Sequence, residues 1–246
     1  METITQEDFE DGVTVFTINR PQRRNAISAQ TAIELQQAFQ AFDAAPDRRV
    51  AIITGAGNEA FSAGADIDSL PELWRCLPGF GIATQKPIIS AVSGWCVGGG
   101  LIITMMSDLA VAAENTRFSY PEGRLGLTQG MIAGLAGRIP HKAAMEIMLL
   151  GKPMSAERAY NVGLVNAVAP DGKHVEVALE MARSMTTLAP MVLATLKRFV
   201  SQVIPQGPSE PYVRTRCELD AIAGSNDFAE GVAAFKGKRA PVFTGN

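Results

Sequence analysis

The 246-residue sequence has few of the residues that build disulfide or metal sites, with 3 cysteines and 2 histidines. Cys76, Cys96 and Cys217 are too few and too scattered for a disulfide framework or a zinc site, so we expect a reducing, cytoplasmic location. The sequence has no large excess of charge of either sign, since it contains 22 basic and 25 acidic residues and its net charge is −3. This balance gives no electrostatic basis for binding nucleic acid or an anionic membrane surface.

Long hydrophobic runs are equally rare. One uncharged stretch, Ile88 to Ser107, has the length of a transmembrane helix. It contains Ser93-Gly94 and the triplet Gly98-Gly99-Gly100, which would weaken a helix running through it. We therefore predict a buried strand, a tight turn and a buried helix there. Residues 1–10 lack the basic and apolar regions of a secretory signal, so no leader peptide is expected.

The composition that is present is typical of a folded protein, since 47% of the residues are hydrophobic and 19% are charged. These proportions exclude a disordered chain, and the length suits one domain or a core with a small appendage. The first half alternates between two kinds of pattern. Strands are predicted at 12–19, 50–54, 87–92 and 109–113, and helices at 28–42 and 101–106. This alternation indicates parallel strands joined by crossover helices.

The second half of the chain is mostly helical in pattern. Helices are predicted at 131–150, 155–163, 175–188, 190–203, 212–223 and 227–235, with one short strand at 164–168. In the first half, 61–70 is expected to begin extended and to become helical after Asp66. No repeat of fixed period and no low-complexity tract is visible.

Two local patterns point to other functions. Gly55-Ala56-Gly57-Asn58-Glu59-Ala60 fits the dinucleotide-binding pattern, but the residues after it have poor helix character and favour a plain turn. The second pattern, residues 94–98, has the spacing of a nucleophile elbow with Cys96 in place of serine. A Cys96 hydrolase would need His141 or His174 as its base, and no suitable acidic partner is evident except Asp171 in a short polar turn. A buried Cys96 acting as a small hydrophobic residue is favoured.

The three consecutive glycines at the predicted strand-to-helix junction, Gly98 to Gly100, indicate a site. Glycine allows a ligand to approach the backbone, and free N–H groups at a helix N-terminus attract negative charge. The charge could belong to a phosphate or to the oxygen of an enolate. A second small-residue loop, Phe61 to Asp66, follows a neighbouring strand and would lie at the same edge of the sheet. Glu122 then places a carboxylate in a turn after a short extended segment.

Together these features resemble the enoyl-CoA hydratase/isomerase (crotonase) family, from Asn19 to Phe243. The motifs that carry the resemblance are, in chain order, Asn19-Arg20-Pro21 with Arg24-Asn25-Ala26, then 61–66, 94–100 with 108–112, 118–126, 155–166 and 230–243. Each motif is weak alone, but the series in this order is specific.

The resemblance implies an α/β fold: a crotonase-like spiral of β-β-α repeats and a helical C-terminal trimerisation region. The spiral, with the acyl-CoA site, is expected over 1–188, and the helical region over 189–246. A homotrimer or a hexamer built as a dimer of trimers is implied. The substrate would be an acyl-CoA thioester, and coenzyme A enters as part of that substrate, so neither a separate cofactor nor a metal is expected. No nucleic-acid or membrane partner is expected.

The resemblance also assigns the site. The backbone N–H groups of Ala65 and Gly99 would form an oxyanion hole, and Glu122 would be the catalytic acid/base. The residues expected to contact the substrate are Arg24, Ala26, Ala63, Asp66, Ile67 and Ile102, together with Lys238 from a neighbouring subunit.

The sequence departs from the family's hydratases at one catalytic position. Hydratases carry two glutamates, and the first of them corresponds here to Ile102. A single base, Glu122, suffices for a 1,3-proton shift, so double-bond isomerisation is favoured. The alternatives are a hydratase or 3-hydroxyacyl-CoA dehydratase with a displaced carboxylate such as Glu72, and a non-catalytic acyl-CoA-binding or RNA-associated relative.

Overall fold

Two β-sheets form the centre of the molecule in the computed structural model, which describes residues 3–246. The strands are, in chain order, β1 (Ile4–Asp8), β2 (Val13–Ile18), β3 (Val50–Gly55), β4 (Ala60–Ser62), β5 (Ile88–Val92), β6 (Trp95–Val97), β7 (Leu109–Ala113), β8 (Arg117–Ser119), β9 (Met154–Ser155) and β10 (Ala167–Ala169). Over residues 3–246 they form a six-stranded sheet, β1-β2-β3-β5-β7-β10, and a four-stranded sheet, β4-β6-β8-β9. All neighbours are parallel except β1 with β2 and β8 with β9.

From β3 to β8, consecutive strands alternate between the two sheets. β3, β5 and β7 lie in the six-stranded sheet, and the strand that follows each of them lies in the four-stranded sheet. The predicted spiral of β-β-α repeats is therefore confirmed. Simple strand–helix alternation is wrong, because each turn of the spiral contributes two strands. The strands at 12–19, 50–54, 87–92 and 109–113 are confirmed to within one residue, whereas the strand predicted at 164–168 begins later, as β10.

The helices complete each turn of the spiral and then form the C-terminal part of the chain. They are α1 (Ala29–Ala44), α2 (Gly99–Met106), α3 (Glu122–Leu125), α4 (His141–Met145), α5 (Ala156–Asn161), α6 (His174–Thr186), α7 (Pro190–Val203), α8 (Ser209–Ala223) and α9 (Asn226–Lys236). Short 3-10 segments occur at Pro21–Arg23, Leu73–Cys76 and Met131–Gly137, and a wide π turn at Glu146–Leu150.

The six-stranded sheet is covered on both faces, as the continuous apolar runs of its strands predict. Alternate residues of β2 point to opposite faces, so Val15 packs toward α6 while Phe16 packs toward α1. The Phe16 ring lies 4.5 Å from that of Phe39 in α1. α1 begins as predicted, because the Ser28 side chain caps it by accepting a hydrogen bond from the Thr31 N–H at 3.1 Å.

Two predictions of helices are wrong: one helix is absent and the other is interrupted. The helix expected after Asp66 is absent from the described residues 66–72, because the Asp66 carboxylate is held by Arg20 and Arg23 and fixes a turn. The helix expected at 131–150 is broken before α4, because Pro140 lacks an N–H and its ring cannot continue the preceding turn. The remaining C-terminal helices are confirmed, with α8 beginning three residues before the predicted 212.

The apolar stretch at 88–107 folds as β5, β6 and α2, with Gly94 and Gly98 at its turns. Over residues 3–246, no helix has both the length and the apolarity that a membrane crossing requires.

The C-terminal helices differ in how they contact the body. α6 buries Ala178 and Ala182 against the six-stranded sheet, whereas α7 has no fully buried residue within its described length. α8 is attached by an ion pair between Asp220 and Arg75 at 3.0 Å, and by the buried Glu210, which lies 3.5 Å from Arg138. The domain boundary at 188 stays a prediction.

Candidate active site

The N-terminus of α2 supplies the first part of the site. β6 ends at Val97, and Gly98 turns the chain with a φ of 51°, a conformation that side chains other than glycine rarely adopt. The Gly98 N–H donates to the Ser119 carbonyl at 3.0 Å, which fixes this turn to β8. Gly99 is the first helical residue, so its N–H has no acceptor in the preceding turn of the helix. This N–H can therefore donate to a ligand.

The loop after β4 supplies the second part. The Gly64 carbonyl accepts from the Ile27 N–H at 2.8 Å, and the Asp66 N–H donates to the Ile27 carbonyl at 2.8 Å. These two bonds flank Ala65 and use neither of its own polar groups. Because successive residues of an extended chain point in opposite directions, the Ala65 N–H is directed away from Ile27.

The two loops are in direct contact. The β-carbon of an alanine at Gly64 would lie 3.0 Å from the Val97 carbonyl oxygen and 3.5 Å from the Gly99 nitrogen. Only glycine, with a φ of 90° at this position, lets the loops approach this closely. The structure thus brings the loops carrying the Ala65 and Gly99 N–H groups together. Their predicted role as an oxyanion hole is consistent with this arrangement.

Glu122 supplies the third part. It is the first residue of α3, three residues after β8 ends. One carboxylate oxygen, Oε1, lies 2.5 Å from where a β-carbon at Gly98 would be. The other oxygen, Oε2, is buried and has no hydrogen-bond partner within residues 3–246. Burial raises the pKa of Glu122 to about 7, because water no longer solvates the charged form.

Apolar side chains line the glycine loop. Ile102 is 3% exposed, and its N–H donates to the Gly98 carbonyl at 3.1 Å. Side chains in a helix lean toward the N-terminus, so the Ile102 side chain, one turn after Gly98, is directed toward the glycine loop. Leu73 lies on the other side, with a methyl carbon 2.9 Å from a β-carbon placed at Gly99. Leu73 could not be predicted from the sequence, because its contact with Gly99 joins distant parts of the chain.

Glu72 does not supply a second carboxylate in this structure. It accepts hydrogen bonds from the Arg75 guanidinium at 2.8 and 2.9 Å, and Arg216 lies 3.7 Å away. The Glu72 side chain is 46% exposed. Its carboxylate is therefore held at the surface between two arginines, and Leu73, the next residue, is the one that reaches the glycine loop.

The segments predicted to contact CoA lie side by side. The Ala63 N–H donates to the Arg24 carbonyl at 2.9 Å, so the stretch with Arg24 and Ala26 runs beside the stretch with Ala63. The Arg24 side chain is exposed and pairs with Glu59 at 2.7 Å. Ile67 is 73% exposed, which leaves its side chain free to contact a ligand.

Asp66 is placed differently from a surface ligand residue. Its side chain is 3% exposed and forms ion pairs with Arg20 at 2.9 Å and Arg23 at 3.2 Å. Burial alone would raise the pKa of Asp66, but hydrogen bonds from Arg20, the Asp68 N–H and Arg23 outweigh it and hold the pKa below its ordinary value. The carboxylate therefore shapes the loop, and only the backbone of Asp66 is available to line a ligand.

Lys238 lies apart from these residues. It follows α9 with a φ of 49°, and its N–H donates to the Phe235 carbonyl at 3.3 Å. No hydrogen bond or ion pair among residues 3–246 links Lys238 to the Ala65 or Gly99 loop. A contribution from a neighbouring subunit, as the resemblance implies, stays a prediction.

The two alternative motifs lack the geometry that their chemistry needs. Burial raises the pKa of Cys96 to about 12, and its thiol lies 3.5 Å from the Thr104 hydroxyl rather than beside an imidazole. A protonated thiol without a base is not a nucleophile. After the turn at Gly57 the chain enters β4, so the helix N-terminus that a dinucleotide phosphate needs does not follow the glycines.

Comparison with known proteins gives one consistent result. A family model described as enoyl-CoA hydratase/isomerase matches residues 8–78 and 80–246. A carnitinyl-CoA dehydratase of Salmonella typhi is 35% identical over an alignment that covers 94% of this chain and 94% of the relative.

Solved structures agree in fold over the whole chain. The structure of a carnitinyl-CoA dehydratase from Mycobacterium avium 104 is 35% identical, with a TM-score of 0.77 and 100% of both chains covered. An enoyl-CoA hydratase from Mycobacterium tuberculosis H37Rv is 32% identical, with a TM-score of 0.77 and the same coverage.

Replacing Gly98 by alanine tests whether the glycine loop sets the position of Glu122. Gly57 is a matched control, because both glycines have positive φ but only Gly98 faces a carboxylate, and nothing lies within 4 Å of a β-carbon at Gly57. We expect Gly98→Ala to lower the turnover of an enoyl-CoA thioester by about 100-fold, since a displacement of about 1 Å has this effect. Gly57→Ala should retain turnover at a similar melting temperature. Equal turnover in both variants would contradict the assigned contact.

Proposed function

The chain belongs to the enoyl-CoA hydratase/isomerase (crotonase) family and acts on acyl-CoA, and we propose that its reaction is a proton transfer with Glu122 as the single acid/base. The favoured reaction is the isomerisation of a 3-enoyl-CoA to a 2-enoyl-CoA. One observation carries the proposal: the Glu122 carboxyl has a buried oxygen beside the glycine loop that has no hydrogen-bond partner within residues 3–246. The resemblance of the sequence supports it, because Ile102 corresponds to the first glutamate of the hydratases.

The reaction begins with the thioester carbonyl oxygen between the N–H groups of Ala65 and Gly99. Glu122 removes a proton from C2, the carbon next to the carbonyl, and the electron pair of that bond moves into the conjugated system. The resulting dienolate carries its charge on the thioester oxygen, which the two N–H groups stabilise. Protonated Glu122 then returns its proton to C4, the double bond now lies between C2 and C3, and the carboxylate is regenerated.

The environment of Glu122 suits this proton transfer. A carbon acid yields its proton more readily to a stronger base, and burial raises the pKa of Glu122 from 4.5 to about 7. At neutral pH the group is close to half ionised, so it can both accept and return a proton.

We therefore expect kcat/KM to fall as the pH drops below about 7, because the protonated carboxyl cannot act as the base.

Hydration of a 2-enoyl-CoA is disfavoured by what surrounds Glu122. Water addition needs a group that orients or deprotonates water and a proton for C2. Ile102 is apolar, and the Glu72 carboxylate is held by Arg75 and Arg216. Of the two carboxylates Glu122 and Glu72, an attacking water would therefore have only Glu122 as a partner.

The second candidate is the dehydration of a 3-hydroxyacyl-CoA, which the carnitinyl-CoA dehydratases among the relatives favour. One carboxyl can serve this reaction if it reaches two atoms on the same face of the substrate. Glu122 would remove the C2 proton and then donate it to the departing 3-hydroxyl group, giving water and a 2-enoyl-CoA. Because hydration is the reverse of this reaction, one pair of rates separates the two candidates. The retained Glu122 disfavours a non-catalytic acyl-CoA-binding relative.

The proposed reaction is tested with purified protein and two substrates, a 3-enoyl-CoA and a 2-enoyl-CoA of equal chain length. We expect isomerisation of the first to exceed hydration of the second. Glu122→Gln should lower isomerisation by about 10²–10⁴-fold with CoA binding retained, because the amide keeps the shape but cannot transfer the proton. Ile102→Glu should add hydration.

If hydration is faster than isomerisation by roughly tenfold or more, isomerisation is excluded as the main reaction, and dehydration of a 3-hydroxyacyl-CoA remains. An active Glu122→Gln variant would overturn both.

We further propose that Arg24, Ala26, Ala63, Asp66 and Ile67 line the CoA moiety, and that Lys238 contributes from a neighbouring subunit of a trimer or hexamer. The apolar side chains that α7 and α9 expose support such an assembly. They include Phe199 at 55%, Val203 at 79%, Phe228 at 54% and Phe235 at 86% exposed. The oligomeric region 189–246 and the cytoplasmic location remain predictions of the sequence.

Lys238→Ala tests this arrangement, with Lys236→Ala as a matched control on the same exposed helix end. Calorimetric titration with CoA should give an affinity of about −4 to −8 kcal/mol for the wild type. Lys238→Ala should weaken it and reduce its salt dependence, because one phosphate contact is lost. Lys236→Ala should change neither. Sedimentation of the wild type as a monomer would exclude the contribution from a neighbouring subunit.

A further inference from the structure

We define the Glu122 segment as residues 120–130. Its central part, residues 123–129, is exposed. A β-carbon at Gly123 or Gly126 would have nothing within 4 Å, and Leu125 and Leu127 are 63% and 47% exposed. The chain that follows Glu122 therefore does not hold it through burial.

Hydrogen bonding at the carboxylate does not hold Glu122 in place either. Its Oε2 is buried and has no partner within residues 3–246. The position of the carboxylate therefore depends on the backbone of the Glu122 segment. Within this segment, the Leu127 N–H donates to the Glu122 carbonyl at 3.3 Å, which is a long bond.

One side-chain contact closes the segment. Tyr120, at its beginning, is 6% exposed, and its hydroxyl lies 3.0 Å from the hydroxyl of Thr128, near its end. The Thr128 oxygen also accepts from the Gly130 N–H at 3.1 Å. The buried Tyr120 ring is thus a fixed point on the body, and Thr128 ties the far end of the segment to it.

We propose that Tyr120 and Thr128 are positioning residues, whose hydrogen bond holds the Glu122 segment closed and the Glu122 carboxylate against Gly98. The inference rests on the proposed role of Glu122 as the acid/base. Neither hydroxyl forms a hydrogen bond with the buried Glu122 Oε2, so both would act through the position of the segment. A base must be held within a fraction of an ångström of its proton, and this contact spans the segment that determines the position of Glu122.

The state of the hydrogen bond also affects the solvation of Glu122. Burial raises the pKa of Tyr120, and the charge of the Glu122 carboxylate adds to the rise. Opening the segment would admit water to the Glu122 carboxyl. The pKa of Glu122 would then move from about 7 toward 4.5.

The experiment compares the pH profiles of four single variants and one double variant of the full chain with that of the wild type, using the better enoyl-CoA substrate. Tyr120→Phe and Thr128→Val each remove one hydroxyl and keep the shape of the side chain. Thr128→Ser keeps the hydroxyl. Tyr160→Phe is the matched control, because Tyr160 lies on α5 and is 54% exposed. Thr128 is itself exposed, so its substitution leaves the core intact.

We expect Tyr120→Phe and Thr128→Val to lower kcat by about 10-fold at unchanged KM, and the double variant to be no worse than either single one. The acid limb of kcat/KM should shift to lower pH by about half a unit or more in these variants. Thr128→Ser and Tyr160→Phe should match the wild type in both respects. A purely structural role would lower the melting temperature without moving the acid limb.

Glu122→Gln is measured in the same series, so that the two proposals can fail separately. An inactive Glu122→Gln variant together with wild-type kcat and acid limb in Tyr120→Phe and Thr128→Val would overturn the positioning role alone. An active Glu122→Gln variant would overturn the proposed function and the inference that rests on it.

Discussion

The site depends on the Glu122 carboxyl group, which is partly buried. One of its oxygens, Oε2, has no hydrogen-bond partner within residues 3–246. Leaving a buried polar atom unpaired costs free energy, and the cost falls on the charged form of Glu122. Apolar residues lie at the glycine loop, because Leu73 contacts Gly99 and Ile102, one turn into α2, is buried. Gly98 leaves room for the carboxylate where any side chain would collide with it.

The spiral of strand pairs explains how distant residues reach this point. Each turn sends one strand into the six-stranded sheet and the next into the four-stranded sheet. The parallel strands β4, β6 and β8 therefore end at the same edge, and the residues that follow them are the Ala65 loop, the Gly98 turn and the approach to Glu122. In the proposed reaction, the donors for a developing negative charge and the base for a proton would thus come from three successive turns of one fold. Isomerisation and dehydration share the first step that this arrangement allows and differ in the atom that receives the proton.

Much of this could be predicted from the sequence where the signal was local. The Ser28 cap, the apolar run at 50–54 and the glycine triplet each depend on a few neighbouring residues, and the structure contains the corresponding elements. The strands of the four-stranded sheet are only two or three residues long, too short for an alternating pattern to show. The turn at Asp66 depends on two arginines from another loop, and the contact of Tyr120 with Thr128 depends on the path of the chain between them. The hydrophobic and turn patterns of a single segment cannot predict contacts between separate parts of the chain.

We infer that the surroundings of Glu122, rather than a second carboxylate, make this residue a base suited to neutral pH. A direct measurement is a carbon-13 NMR titration of the wild-type protein labelled at the glutamate side-chain carboxyl carbons. The Glu122 signal is identified by its loss in the Glu122→Gln variant. If burial raises the pKa of Glu122, the titration midpoint of this carboxyl will be about 7. A midpoint at the ordinary value of 4.5 would show that water reaches the group freely, and would contradict the account.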